Sequence, residues 1–447
     1  MLPLADSSPT ERGGRHYAII GAGVAGLTAA YRLLQQGQRV TVFEKSPFVG
    51  GQLATTVVGG VPIEHYYHHT FTSDADLLML CEELGITDKM MWLPSTMGYF
   101  SQGKLYPFGT PKSIVTFRPL GVFAKVGFVL STLWITFVMK PEYAEKHTVH
   151  AWFLRYGFGR VWDIVWKPLF QLKFAADADR ISLIWLWGKL HTRGTSRNGS
   201  KEVLAYMKGS FGALALALSQ AIEGLGGELV LGTELRSIKK INQDFVVESS
   251  AGTFSVDAVI STQAANQLVH SYPWSSETKA YLNGLEYKSA ICVMVISDRR
   301  WFDRYWINIG DENLPFGGIV EHTNWVPAGE YGGKHVMYLS RYLDDDDSLF
   351  TQPDTAIVEM FCNGINVLLT DFDRSLVQEI RVFRQRNAQP VVPKGYIAPS
   401  MMTEIPDFYW ISTHHTYPFD RGINYAIRLA NRLVGDISAQ QTNGQLP

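Results

Sequence analysis

The stretch from Tyr17 to Glu44 constrains the fold more than any other part of this chain. Tyr17-Ala18-Ile19-Ile20 is a short apolar run that reads as a buried parallel strand, and it enters Gly21-Ala22-Gly23-Val24-Ala25-Gly26. A helical pattern follows over 27–36, Gly37 closes it, and 39–43 (RVTVF) is a second strand ending on Glu44. This is the strand–turn–helix–strand context that a GxGxxG fingerprint requires. Gly21 permits the tight turn, Gly23 lets a pyrophosphate approach the backbone, and Gly26 lets helix and strand pack closely. The helix start at Val24 and Ala25 offers free N–H groups and a positive dipole end to phosphates. Glu44, followed by Lys45, stands where a carboxylate accepts from ribose hydroxyls, and an acid here argues against a 2′-phosphate.

A chain of 447 residues is too long for one ordinary core, so two domains are expected. With 40 basic against 42 acidic residues, no global charge argues for nucleic acid as a partner. Cys81, Cys292 and Cys362 lie far apart without a CxxC, which points away from a disulfide framework or zinc ribbon and toward a reducing, cytoplasmic compartment. Residues 1–16 are polar, lack an apolar core of signal-peptide length, and read as a loose leader.

Five residues after Glu44 come Gly50-Gly51 and then Gln52. On the GxGxxG unit, Glu44 and this pair, the chain resembles the flavin-containing amine oxidase superfamily, closest to its protoporphyrinogen oxidases and phytoene desaturases. The resemblance implies FAD as cofactor, with the Gly-Gly pair passing close to the pyrophosphate. An Arg usually follows that pair, and Gln52 departs from it. The same resemblance covers 208–235 as the helix–strand unit that returns to the FAD domain, with Leu235 beside the adenine. It places Thr262 where the chain crosses back from the sheet. Residues 409–412 are strand-like and precede a helix whose apolar face is Ile423, Ala426, Ile427, Ala430, Leu433 and Val434. Asp420 is the expected N-cap, and Gly422, Ile423 and Asn424 form the helix start that the resemblance directs at the flavin.

The implied fold class is α/β: a Rossmann-type, glutathione-reductase-like FAD-binding domain (1–71, 201–272 and 404–447) interleaved with an α+β substrate domain. That second domain holds a largely helical, aromatic-rich insertion (72–200) and an antiparallel sheet (273–403). Trp134, Trp152, Trp162, Trp166, Trp185 and Trp187, all within its helical stretch, are half of the 12 tryptophans. No second GxGxxG occurs, so electrons are expected to pass to oxygen or a quinone rather than come from a bound nicotinamide.

Polar residues among apolar segments are the candidates for catalysis. Glu321 and His322 interrupt a strand whose alternation would put Glu321 and Thr323 on one face, His322 and Asn324 on the other. Tyr417, with His414, precedes the C-terminal helix. Glu64 and His65 open a run with His68 and His69 that should pass near the flavin ring; no metal is expected there. The acidic run 344–347 reads as a solvated turn. Segment 120–139 is apolar except for Lys125, and its uncharged part of 14 residues makes about 21 Å of helix against about 30 Å of hydrocarbon, too short to span. Val122, Val126, Leu130, Leu133 and Phe137 form one stripe with Arg118 and Lys140 flanking it. Two readings stand: a buried helix, or membrane-surface contact through 112–140 that makes the protein peripheral on the cytoplasmic membrane face. The function these features imply is dehydrogenation of a small, mostly apolar substrate, porphyrinogen-, carotenoid- or isoprenoid-like. The alternatives are oxidation of a soluble amine and a non-redox flavin mutase resembling UDP-galactopyranose mutase, a family with His where Gln52 stands.

Overall fold

The computed structural model describes residues 13–195, 197–198 and 201–443. Most of the leader expected over 1–16 therefore lies outside the described residues.

The N-terminal apolar run becomes the central strand of a five-stranded sheet. His16–Ile20 lies between Arg39–Phe43 and Ala258–Ser261, with Glu228–Val230 and Phe408–Trp410 outside them, all parallel. Its strands come from three separate stretches of chain, because a parallel neighbour requires a crossover rather than a hairpin. Helices Val24–Gln35, Gly212–Gly224 and Ile423–Asn443 pack on this sheet. The C-terminal helix buries the face its periodicity predicts: Ile427, Ala430, Leu433 and Val434 are buried, and Ile423 and Ala426 pack against the same core.

A second sheet of seven strands runs Val377–Pro390, Tyr287–Ser297, His335–Leu343, Gly318–Glu321, Trp306–Ile309, Met97–Ser101 and Lys104–Phe108. Alternation sorts its two faces. Val293, Val295, Met337 and Leu339 point into a core closed by the helix Asp354–Leu368, while Cys292, Met294 and Tyr338 look toward the parallel-sheet domain. Three expectations change here. The 72–200 insertion is less helical than expected: after the helix Ala75–Glu83 it runs into strands, and Met97–Ser101 finds a parallel partner in Trp306–Ile309. The strand expected through 321–324 ends at Glu321, and His322–Asn324 is a 3-10 turn, so the simple alternation of those four residues does not hold. The acidic run is also more than a solvated turn: Lys288, almost fully buried, bridges Asp344 and Asp177, and Ser289 donates to Asp345.

The helical part of the insertion forms its own aromatic core around Trp152, Phe153, Trp162, Phe170, Phe174 and Trp185. Much of the tryptophan excess is therefore packing between helices.

Candidate functional site

The glycine loop is built so that only glycine fits twice. A Cβ at Gly26 would lie 2.0 Å from the Gly21 carbonyl oxygen, and one at Gly21, whose φ is +106°, would lie 2.3 Å from Thr262 Oγ1. Thr262 is held there by donating its hydroxyl to the Ile20 carbonyl at 2.8 Å. At Gly23 a Cβ would meet nothing within 4 Å, so this glycine faces open space. The first internal bond of the following helix runs from the Leu27 N–H to the Gly23 carbonyl, leaving the amides of Val24, Ala25 and Gly26 ahead of it. That helix has no side-chain cap and no acid in its first turn, which suits an anion.

Glu44 braces the loop. Its carboxylate accepts from Ala22 N–H at 2.8 Å and Ser46 N–H at 2.9 Å, and a carboxylate has further lone pairs for sugar hydroxyls. The carbonyls of Glu44 and Ser46 accept from Thr233 and Gly232, which brings Leu235 to the same end of the groove. Lys45 is exposed beside it. Gly50 pairs with Gly23 and donates to the Ala22 carbonyl at 2.8 Å, while Gly51 lies under Gly23. The open glycine, the free helix amides and the braced acid fit a dinucleotide.

From Gln52 the groove continues to the second sheet through Arg421. The Gln52 side-chain oxygen accepts from Arg421 at 3.3 Å, and the same guanidinium reaches Gln389 at 3.3 Å and the Tyr342 hydroxyl at 2.8 Å. Asp420 is not the N-cap expected from sequence. The helix begins at Ile423, after Gly422, and Asp420 Oδ2 instead accepts from Lys173 at 2.8 Å and Lys189 at 2.9 Å. Burial would raise the Asp420 carboxyl, but the two ammonium groups hold it well below the usual carboxylate range. Burial pushes Lys189 down to about 8 against the pull of Asp420. Asn424 does not turn its side chain to the groove either; its oxygen accepts from Leu77 N–H at 3.0 Å and ties two helices together.

Half-buried aromatics stand on the sheet side of this groove. Tyr67 donates to or accepts from Ser340 at 3.1 Å and packs edge-on to Trp306, and His65 stacks on Phe383 at 4.2 Å between centroids. Glu64 sits behind them. Its carboxyl faces away from the groove, accepting from Tyr206 and from Phe211 N–H, and burial raises it to about 7. His68 donates its Nδ1–H to the Tyr66 carbonyl at 2.6 Å, and among the described residues no cluster of metal-ligating side chains forms.

Glu321, His322 and Tyr417 are not brought together. Glu321 is 0% exposed and filled by the N–H groups of Trp301 and Phe302 and by Thr323. His322 is bonded to the Tyr331 hydroxyl at 2.7 Å, deep among Tyr206 and Tyr338. Tyr417 donates to Glu145 at 2.7 Å on the helical insertion. The first two are satisfied interior groups whose partners sequence does not show. Sequence reasoning passed over Arg421, Lys173 and Lys189. The only available signal was the missing basic residue after Gly51, a gap that Arg421 fills from the other end of the chain.

Comparison with known proteins agrees with this geometry. Residues 24–437 match the family described as flavin containing amine oxidoreductase. A 15-cis-phytoene desaturase of Narcissus pseudonarcissus is 26% identical over 400 residues, covering 82% of this chain and 68% of that protein. Protoporphyrinogen oxidase 2 of Arabidopsis thaliana is 28% identical over 185 residues, 40% of this chain but only 36% of that protein's length. In fold, a crystal structure of a candidate protoporphyrinogen oxidase from Exiguobacterium superposes with a TM-score of 0.77 at 17% identity, over 95% of this chain and 99% of the other. The chain belongs to the flavin-containing amine oxidoreductases and is an FAD-dependent oxidoreductase.

Proposed function

We propose that this enzyme dehydrogenates a mostly apolar substrate of porphyrinogen, carotenoid or isoprenoid type, with the parallel-sheet domain holding FAD in the manner of a Rossmann fold. When bound, FAD accepts the hydride and passes the electron pair to oxygen or a quinone. The glycine loop and Glu44 would hold the dinucleotide, and the groove from Gln52 to Arg421 would lead to the reacting end. The observation that carries the substrate class is the half-buried wall of Tyr66, Tyr67, Trp306, Phe383 and Tyr342 on the sheet side. Such a wall excludes water and binds through apolar area. Removal of a hydride leaves one proton to be lost from the neighbouring substrate atom, which a base or water takes up.

The test is anaerobic mixing of the yellow enzyme with porphyrinogens, polyenes, prenols and amines. Bleaching by a porphyrinogen, polyene or prenol and none by amines is expected. Bleaching by amines alone would replace this reading with amine oxidation. A product of unchanged oxidation state, formed only on prereduced enzyme, would replace it with mutase chemistry.

Arg421 precedes the start of the C-terminal helix by two residues, so its charge adds to the positive end of that helix. A positive field there favours the anionic reduced flavin. Arg421→Gln should lower the flavin midpoint potential by roughly 30–60 mV, a factor of about 10–100 in the reduction equilibrium. Arg421→Lys should retain most of it, and spectroelectrochemical titration reads both.

A further inference from the structure

The helix Val122–Leu133 and the π-helical turn Trp134–Val138 that continues it are inside out for a protein surrounded by water. A surface helix normally buries its apolar stripe and shows polar residues outside. Here Gly127, Ser131, Ile135 and Thr136 face inward, and a Cβ at Gly127 would already press on Phe158 at 3.0 Å. Val122, Phe123, Val126, Leu130, Leu133 and Phe137 face outward, with Phe123 94% exposed, Val122 74% and Phe137 68%. Val115, Val138 and Leu154 are exposed as well, and Trp134 packs on Tyr156. Isolated exposed apolar residues are ordinary, but so many on one helix and its neighbours mark an interaction surface.

The charges around it choose the partner. Lys112, Arg118, Lys140 and Arg155 are exposed at the rim, and no Asp or Glu occurs between Asp88 and Glu142. The one cation inside the apolar run, Lys125, turns aside and donates to the Val115 carbonyl at 2.6 Å. Among the described residues no helix is long and apolar enough to cross a membrane. A second copy of the same face would bring two basic rims together, which is unfavourable.

We propose that this face docks on the surface of an anionic lipid bilayer, with the helix lying in the plane of the headgroups and Phe123 and Phe137 inserted beyond them. The docked helix then neighbours the substrate groove through one helix, Leu183–Thr195. Trp187 of that helix donates to the Met139 carbonyl at 3.1 Å, and Lys189, on the same helix, reaches Asp420 at 2.9 Å. The docking claim stands apart from the substrate proposal, since vesicle binding is read without turnover.

The FAD-loaded full chain should float with vesicles of phosphatidylcholine mixed with phosphatidylglycerol, and less with phosphatidylcholine alone or in high salt. Phe123→Asp combined with Phe137→Asp should lower the partition coefficient about tenfold or more, while the protein stays yellow and melts where the parent does. The side chains are already in solvent, so folding is not the quantity changed. Three results would overturn the proposal: no flotation of the parent chain with the mixed vesicles, equal flotation of the doubly substituted chain, or a parent dimer in solution that the same substitutions convert to monomer.

Discussion

Gly23→Val should give a stable, folded protein that is purified without colour, whereas Gly224→Ala should remain yellow. The two positions share one geometric property and differ in what lies around them. Neither has a heavy atom within 4 Å of an added Cβ, and neither carries a positive φ, so neither substitution strains the free chain. Gly224 is the last residue of its helix, and Gly227 just after it lies against Leu34, toward the far end of the helix that the glycine loop begins. Gly23 caps the helix Val24–Gln35 and sits opposite Gly50, so the space its valine would fill is that of the FAD pyrophosphate. Loss of that approach should weaken FAD about 100-fold or more, about 2.7 kcal/mol, measured by titrating FAD into the deflavinated proteins. Gly26→Ala is the contrasting case. Its methyl would lie 2.0 Å from a backbone carbonyl, so the loop itself must move, and both FAD affinity and melting temperature should fall. Strong FAD binding by Gly23→Val would move the nucleotide away from this loop.

The parallel core was legible because its signals are local. An apolar run, glycines at fixed offsets and an acid at the next strand end all fall within 28 residues, from Tyr17 to Glu44. The C-terminal helix was legible for the same reason, since periodicity names the buried face of a helix without reference to its partner. What was not legible depends on pairings across the chain. Asp420 meets Lys173 and Lys189 across 247 and 231 residues, and nothing near Asp420 in sequence distinguishes that role from an N-cap. Glu321 looked catalytic because a carboxyl interrupts an apolar strand, but the N–H groups of Trp301 and Phe302 that satisfy it come from a chain reversal. The stripe on 122–137 shows the same limit: the pattern finds the apolar side of the helix but not whether protein lies against it.

The FAD-saturated enzyme should lose stability steeply below pH 6.5, because five histidines are enclosed in their neutral form. Burial lowers His68 and His415 to about 4 and His69, His322 and His414 to about 3, from an ordinary value of 6.5. A depressed folded-state value means that the unfolded chain binds the proton first. The stability these groups contribute is therefore complete above pH 6.5 and is lost as pH falls toward 4 and then 3. Glu64 and Glu321 act in the opposite sense. Burial raises both from 4.5 to about 7, so the folded state holds their protons and their contribution grows as pH falls from 7 to 4.5. Five protons against two leave a net of about three between pH 6.5 and 4.5, or roughly 4 kcal/mol per pH unit at most. Below 4.5 the two carboxyls cease to oppose and the slope steepens. A domain with roughly 5–15 kcal/mol to lose should therefore unfold between about pH 3 and 5.5. Urea denaturation at several pH values, with FAD in excess throughout, measures the slope. Two substitutions move it in opposite directions by about 1.4 kcal/mol per pH unit each. His414→Phe removes one of the enclosed imidazoles, whose Nε2 has no partner, and should make the slope shallower. Glu321→Gln removes an opposing carboxyl and should make it steeper, while leaving flavin reduction by substrate unchanged if Glu321 is the interior group that its bonds to Trp301 and Phe302 describe.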